Sequence, residues 1–150
     1  MVRTGKNGGV SNLVIGTSTS THTLITGNTS SGKSTFLHMI ISSIIMNYHP
    51  DDVELWLVDY GKVEFNEYYQ HTPPHVRFIS LEKSAEFTYS FLDYLHEFFS
   101  KREKLFEAEG VTSIQGYRKK YGKLSLPRVV LIVDECHNMT QHVQQNPDYR

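Results

Sequence analysis

The sequence predicts an α/β fold in which a mainly parallel β-sheet is covered by helices on both faces. Strand-like segments alternate with helix-like segments along the 150 residues, which is the order that such a sheet requires. The central strand segments are also continuous apolar runs, as is typical of strands buried on both faces. With 39% hydrophobic and 21% charged residues, the composition is that of a globular chain. We therefore expect a single domain over residues 1–150, with residues 1–10 as a loose N-terminal segment.

The individual elements follow from composition and spacing. Short β-branched runs between polar turns predict strands, and longer stretches with apolar residues at helical spacing predict helices. The run 127–133 is apolar on both faces, so we expect it in the middle of the sheet. The predicted strands are residues 11–16, 23–26, 53–59, 76–79 and 127–133, and the predicted helices are residues 33–48, 84–108 and 112–121.

A glycine-rich segment fits the phosphate-loop pattern G-x-x-x-x-G-K-[ST], the Walker A motif, in full. Glycines allow the backbone to turn tightly around an anion, and the following helix adds the positive end of its dipole. Lys33 would reach the β- and γ-phosphates of ATP, the Ser34 hydroxyl would bind Mg²⁺, and Thr35 would contact the α-phosphate. The alternative is a turn that only caps a helix. The predicted nucleotide-binding residues are Gly27, Asn28, Thr29, Ser30, Ser31, Gly32, Lys33, Ser34 and Thr35.

A second motif, of the Walker B type, places two acids at the end of the last apolar run. Asp134 would help to hold Mg²⁺, and Glu135 would orient and deprotonate the attacking water as a general base. Combined with the phosphate loop, the pair predicts an ATP-hydrolysing site in which Lys33 and Glu135 are catalytic and Ser34 and Asp134 bind the metal. Many buried strands end in aspartate, so the alternative is that both acids only cap a strand.

Charge and cysteine content limit the partners and the compartment. The formal net charge is −1, so any contact with nucleic acid has to be local or made by other parts of the protein. A single cysteine, Cys136, excludes an internal disulfide and suits a cytoplasmic location. No apolar run approaches the roughly 20 residues that a membrane span needs, although a longer parent protein could carry an anchor.

Several segments occur in an order that points to one family. The chain resembles the motor domain of FtsK/SpoIIIE-type P-loop ATPases, within the HerA–FtsK group, over roughly residues 12–138. Two departures leave the branch open: Gly61 precedes Lys62 where many members have lysine one position earlier, and Cys136-His137 follows the acidic pair. The segments that carry the resemblance are residues 22–34, 54–65, 74–76, 102–106 and 127–135.

The resemblance implies a RecA-like fold, a homo-oligomeric ring, usually a hexamer, and ATP bound between neighbouring subunits. It also implies an arginine from the neighbouring subunit and sensor residues, which we expect beyond residue 150. The chain ends soon after Asp134, so we expect a truncated domain whose activity in isolation is open.

Three functions are compatible with the sequence. The first is an ATP-driven translocase of double-stranded DNA, and the second is a type VII secretion ATPase that moves protein. The third is an assembly module that binds nucleotide with little turnover.

Four further positions carry open interpretations. Asp59 and Lys62 lie at a strand end and either act near the nucleotide or the subunit interface or form a solvated tip. The basic segment 118–123 either contacts DNA phosphates or is a solvated face. His137 either links the nucleotide state to neighbouring elements or packs locally.

Overall fold

The computed structural model describes residues 22–28 and 31–149, together with the backbone of residues 2–3 and 10–11. The chain divides into two compact units, Met1–Asn47 and Tyr48–Arg150. Of the helices in the described ranges, none combines the length and the apolar composition that crossing a lipid bilayer demands.

The first unit contains a short hairpin and one long helix. Strand β1 (Val2–Arg3) pairs antiparallel with β2 (Val10–Ser11), and the rest of the predicted strand 11–16 lies outside the described residues. Helix α1 (Lys33–Asn47) confirms the helix predicted from residue 33. Leu37, Ile40 and Ile41 are its buried residues.

The strand predicted at residues 23–26 is wrong. The structure has irregular backbone over residues 22–28, and the Leu24 side chain is 77% exposed. Strand propensity describes how a residue fits a pleated, half-buried surface, and it does not supply the neighbouring strand that such a surface needs. The phosphate loop is therefore followed by a helix, as predicted, but is preceded by irregular backbone.

The second unit is built on three parallel strands. Strand β3 (Val53–Asp59) lies between β4 (Val76–Ser80) and β5 (Arg128–Asp134), and both neighbours run parallel to it. The prediction of an α/β fold with a mainly parallel sheet is thus confirmed. The central position expected for the run 127–133 is wrong within the described strands, because β3 is the middle strand and Leu131 of β5 is 37% exposed. Both runs are apolar on two faces, so composition alone does not reveal their order.

Helices complete this unit. Ser84 caps α3 (Ala85–Ala108), and its hydroxyl oxygen accepts a hydrogen bond from the Phe87 amide. The remaining elements are α2 (Asn66–Gln70), α4 (Ile114–Tyr121), α5 (Cys136–Gln145) and a 3₁₀ turn (Pro147–Tyr149). Helices α3 and α4 confirm two of the predicted helices, whereas the short α2 and the polar α5 were not predicted.

The apolar face of α3 packs on the sheet. Phe91 is 2% exposed and belongs to a buried cluster with Val58 and Tyr60 at the end of β3. The Trp56 ring contacts the Phe98 ring edge-on, with 4.7 Å between ring centroids. The aromatic residues spaced along this helix therefore form part of the core that fixes the end of β3.

A buried ion cluster anchors the beginning of β3. The Asp52 carboxylate is 1% exposed and contacts the Arg118 guanidinium, and the Lys123 ammonium lies 2.6 Å from its Oδ2 atom. The backbone carbonyl of Asp52 accepts a hydrogen bond of 2.9 Å from the Arg128 amide at the start of β5. The cluster thus joins α4 and its following turn to two strands.

Removal of the Arg118 guanidinium should destabilise the fold. We expect Arg118→Ala to lower the free energy of unfolding by about 3 kcal/mol, the lower end of the range for breaking a buried pair, because Lys123 still faces the carboxylate. Urea denaturation followed by circular dichroism measures this difference. Lys119→Ala removes an exposed charge from the same helix and is the matched control. An unchanged midpoint for Arg118→Ala would contradict the assignment.

The same cluster predicts a loss of stability in acid. Burial acts to raise the pKa of Asp52, but hydrogen bonds from Lys123 and Arg118 and their charges outweigh it, so the pKa lies below its ordinary value of 3.8. A carboxyl group whose pKa is lower in the folded state stabilises that state above its unfolded pKa and loses this effect as the pH falls through the folded pKa.

We therefore expect unfolding free energy to drop below about pH 4, with a smaller drop in Asp52→Asn, because that variant has no carboxyl group to titrate. Denaturation curves between pH 3 and pH 6 provide the measurement. Asp51→Asn, which alters an exposed neighbouring carboxylate, should keep the wild-type pH dependence. If Asp52→Asn matched the wild type at every pH, the stabilising role of this ion cluster would be excluded.

Candidate nucleotide-binding and hydrolysis site

The described part of the phosphate loop leads directly into the first turn of α1. The Ser31 amide donates a hydrogen bond of 3.0 Å to the Asn28 carbonyl oxygen, and the Phe36 amide donates one of 2.9 Å to the Gly32 carbonyl oxygen. The helix begins at Lys33, so Lys33, Ser34 and Thr35 occupy its first turn. Amide groups in a first helical turn have no partner within the helix, which makes this end suited to anions.

Two glycines in this loop lie where a residue with a side chain would be disfavoured. Gly32 has a φ angle of +90°, in the region that disfavours side chains. A Cβ atom added to Gly27 would overlap the Ser31 side chain. The backbone is therefore compact in the way that close approach to a phosphate requires, and the residues present fit a bound polyphosphate. Thr29 and Ser30 lie outside the described residues.

The second half of the predicted site lies where β3 and β5 end. Asp59 and Asp134 are register partners on these adjacent parallel strands, and they are 0% and 3% exposed. The Tyr60 amide donates a hydrogen bond of 3.4 Å to the Asp134 carbonyl oxygen and continues the pairing beyond the strands. Two buried carboxylates thus lie side by side at one edge of the sheet.

The Asp59 carboxylate organises the loop that follows β3. Its Oδ1 atom accepts hydrogen bonds from the amides of Gly61 at 2.7 Å and Lys62 at 3.0 Å. Its Oδ2 atom accepts one from the Phe65 amide at 3.2 Å. The solvated tip is wrong for Asp59, which is 0% exposed, and a role near the nucleotide stays a prediction. Lys62 extends toward Glu82, with 3.9 Å between its ammonium nitrogen and a carboxylate oxygen.

Glu135 is held in an unusual backbone conformation between β5 and α5. Its φ and ψ angles of 52° and 42° are left-handed, and its carbonyl oxygen accepts a hydrogen bond of 3.0 Å from the Asn138 amide. The His137 Nδ1 atom lies 3.2 Å from the Glu135 Oε2 atom. A Cβ atom added to Gly61 would come within 3.6 Å of the Glu135 Cγ atom. The side chain of Glu135 therefore passes close to the loop after β3.

A series of buried and partly buried polar groups begins next to the end of β3. The Tyr60 hydroxyl is 2.9 Å from the Thr88 hydroxyl, which is 2.8 Å from the Nδ1 atom of His142. Burial raises the pKa of Tyr60, and the hydrogen bond with Thr88 opposes that rise. These contacts join the end of β3 to α3 and α5. Sequence patterns could not predict these contacts, because the three residues lie in separate parts of the sequence.

Most of the basic segment 118–123 is engaged within the fold. Arg118 and Lys123 contact Asp52, and the Lys120 ammonium lies 2.8 Å from a Glu109 carboxylate oxygen. These contacts weaken the interpretation of the segment as a DNA contact, because three of its cations already have acidic partners.

The structure places the two predicted halves in different compact units. The phosphate loop belongs to Met1–Asn47, whereas Asp134 and Glu135 belong to Tyr48–Arg150. Within the described residues, no cluster of three histidine, cysteine or acidic side chains could hold a metal ion alone. A joint magnesium site of Ser34 and Asp134 remains a prediction.

The parallel sheet, the loop that opens α1 and the acids that end β5 define an α/β domain of the P-loop class. The family model for the FtsK/SpoIIIE family matches residues 1–148, and the chain belongs to this family. The resemblance inferred from the sequence motifs is thereby confirmed.

Similar proteins carry two kinds of name. A relative named DNA translocase FtsK, from Clostridium tetani, is 33% identical over 122 residues, which are 79% of this chain and 16% of that protein. The protein of the same name from Streptococcus pneumoniae is 33% identical over 127 residues, with the same coverage of 79% and 16%. The ESX secretion system protein YukB of Bacillus subtilis is 29% identical over 133 residues, which are 85% of this chain and 9% of YukB. No solved structure matches the chain significantly.

Proposed function

We propose that this chain is the ATP-binding and ATP-hydrolysing part of an FtsK/SpoIIIE-like translocase of double-stranded DNA. Family membership over residues 1–148 is the observation that carries the proposal. The compact glycine loop at the start of α1 and the acids at the end of β5 supply the residue types that the reaction needs.

Binding of ATP is assigned to the first unit. Main-chain amides from the loop and the first turn of α1 donate to the phosphates, and the Lys33 ammonium offsets the charge on the β- and γ-phosphates. Thr35 contributes a hydroxyl donor beside the α-phosphate. Thr29 and Ser30 stay predicted contacts within the full set of nucleotide-binding residues.

Hydrolysis is assigned to the acids at the end of β5. Glu135 holds the attacking water and accepts its proton, and Ser34 with Asp134 would hold Mg²⁺. When bound, this ion supplies positive charge that neutralises the phosphate oxygens. The residues of this chain position the general base and the phosphates.

Double-stranded DNA is the proposed cargo because several relatives carry the name DNA translocase FtsK. Protein is the second candidate, supported by the similarity to the ESX secretion system protein YukB. The chain spans only 16% and 9% of the length of the FtsK and YukB relatives described above. We therefore make four proposals about the full-length protein: its cargo, a hexameric ring, an arginine from a neighbouring subunit and a cytoplasmic position.

Stimulation of ATP hydrolysis by cargo separates the candidates. The experiment measures ATPase turnover of the full-length protein with and without linear duplex DNA, over a range of salt concentrations. A translocase of DNA should show faster turnover with duplex, and the effect should decline as salt rises because phosphate contacts weaken.

The absence of stimulation at every salt concentration would contradict the DNA assignment and favour a protein cargo. Very low turnover under all conditions, with ATP binding retained, would instead favour an assembly module that binds nucleotide.

A further inference from the structure

The side chain of His137 contacts the carboxylate that we assign to water activation. Its Nδ1 atom lies 3.2 Å from the Glu135 Oε2 atom, and the two side chains are 61% and 38% exposed. A pair this exposed contributes little to folding stability, since water screens it. The contact therefore bears on the direction of the carboxylate and not on stability.

The backbone of Glu135 already limits the direction of its side chain. A left-handed conformation at a residue other than glycine costs roughly 1–2 kcal/mol, so it persists only where the surroundings fix it. Here β5 ends at Asp134 immediately before Glu135, and the Glu135 carbonyl oxygen accepts the Asn138 amide at 3.0 Å in the first turn of α5. The strained residue is thus held from both sides.

A second boundary comes from the loop after β3. The position that a Gly61 Cβ atom would take is 3.6 Å from the Glu135 Cγ atom and 3.1 Å from the Asp59 Oδ1 atom. Because the Asp59 carboxylate accepts hydrogen bonds from three amides of this loop, Gly61 is held beside the Glu135 side chain. The Glu135 side chain therefore lies next to the loop after β3, and its carboxylate contacts His137.

We propose that His137 is a positioning residue for Glu135. Its ring contacts the Oε2 atom and so fixes the direction of the carboxylate that accepts the proton of the attacking water. The proposal rests on the function proposed above, in which Glu135 is the general base. A base displaced by about 1 Å loses on the order of 100-fold in rate, so loss of one of several constraints should cost about 10-fold.

The test uses the full-length protein and separates kcat from KM. We expect His137→Ala to lower kcat for ATP hydrolysis about 10-fold, with KM and the affinity for a fluorescent ATP analogue within about twofold of wild type. His137→Asn should restore most of kcat, because the asparagine amide keeps an N–H donor near the carboxylate. Gln141→Ala, at an exposed position of the same helix, is the matched control and should leave both parameters unchanged.

A double-mutant cycle ties the effect to Glu135. In a Glu135→Gln background, His137→Ala should cause no further loss of the residual turnover, since the base is already absent. If Glu135→Gln abolishes turnover but His137→Ala leaves kcat unchanged or raises it, the positioning role is overturned and the proposed function stands. A full additional loss in the Glu135→Gln background also overturns it. If Glu135→Gln retains wild-type turnover, the proposed function itself fails.

Discussion

Lys33→Ala should remove most of the affinity for ATP. Lys33 occupies the first turn of α1, directly after Gly32, and carries the only positive side chain of the phosphate-loop motif. A hydrogen bond to a charged group is worth about 1.5–3 kcal/mol, which predicts a loss of affinity of roughly 10-fold to 150-fold. Turnover should fall further, by about 100-fold to 1,000-fold, because the same charge stabilises the transition state.

Titration with a fluorescent ATP analogue gives the affinity, and phosphate release gives the turnover. Lys104→Ala is the matched control, since it removes the same kind of charge from an exposed position on α3. Retention of wild-type affinity in Lys33→Ala would exclude the residue from the nucleotide site and, with it, the ATPase assignment.

Glu135→Gln should block hydrolysis while ATP still binds. The amide has nearly the shape of the carboxylate but cannot accept a proton, and a positioned general base is worth about 100-fold to 10,000-fold in rate. The affinity for ATP should stay within about twofold of wild type, because binding depends on the loop before α1. Single-turnover hydrolysis and analogue binding measure the two quantities separately.

Glu103→Gln, at an exposed position of α3, controls for the change of charge alone. Unaltered turnover in Glu135→Gln would show that the acid is not the base. In that case the protein would fit better as a nucleotide-dependent assembly module.

The sequence was most informative about the bounds of single helices and strands. The strand predicted at residues 53–59 matches β3, and α1 begins at Lys33 as predicted. Helix α3 was identified to within a residue of its start, because Ser84 is a recognisable cap. These features depend on local composition and on spacing along one segment.

The sequence was least informative about features that depend on contacts between separate segments. The order of β3 and β5 in the sheet, and the irregular backbone at residues 23–26, depend on which strands find neighbours. Helix α5 was missed because it is short and mostly polar, with only Cys136, Met139 and Val143 as apolar residues at helical spacing. The proximity of Gly61 to Glu135 could not be predicted, because these residues are far apart in sequence and come close together only when β3 and β5 pair.

The membership of the phosphate loop and the acidic pair in one catalytic site was inferred from motifs and remains a prediction. Gly32 in the phosphate loop and Glu135 after β5 both have positive φ angles, but the backbone before the loop is irregular where a strand was predicted. The experiments on Lys33 and Glu135 therefore test two independent parts of a single assignment.

The hydrogen-bonded chain from Tyr60 through Thr88 to His142 has a mechanical consequence. Helix α5 starts directly after Glu135, and its far end is fastened to Thr88 on α3, which is in turn fastened to Tyr60. A tilt of α5 large enough to displace Glu135 must therefore move α3 with it or break the partly buried hydrogen bond of 2.8 Å between Thr88 and His142. A load applied to the outer surface of α3 would therefore act on Glu135, the residue that we propose as the general base.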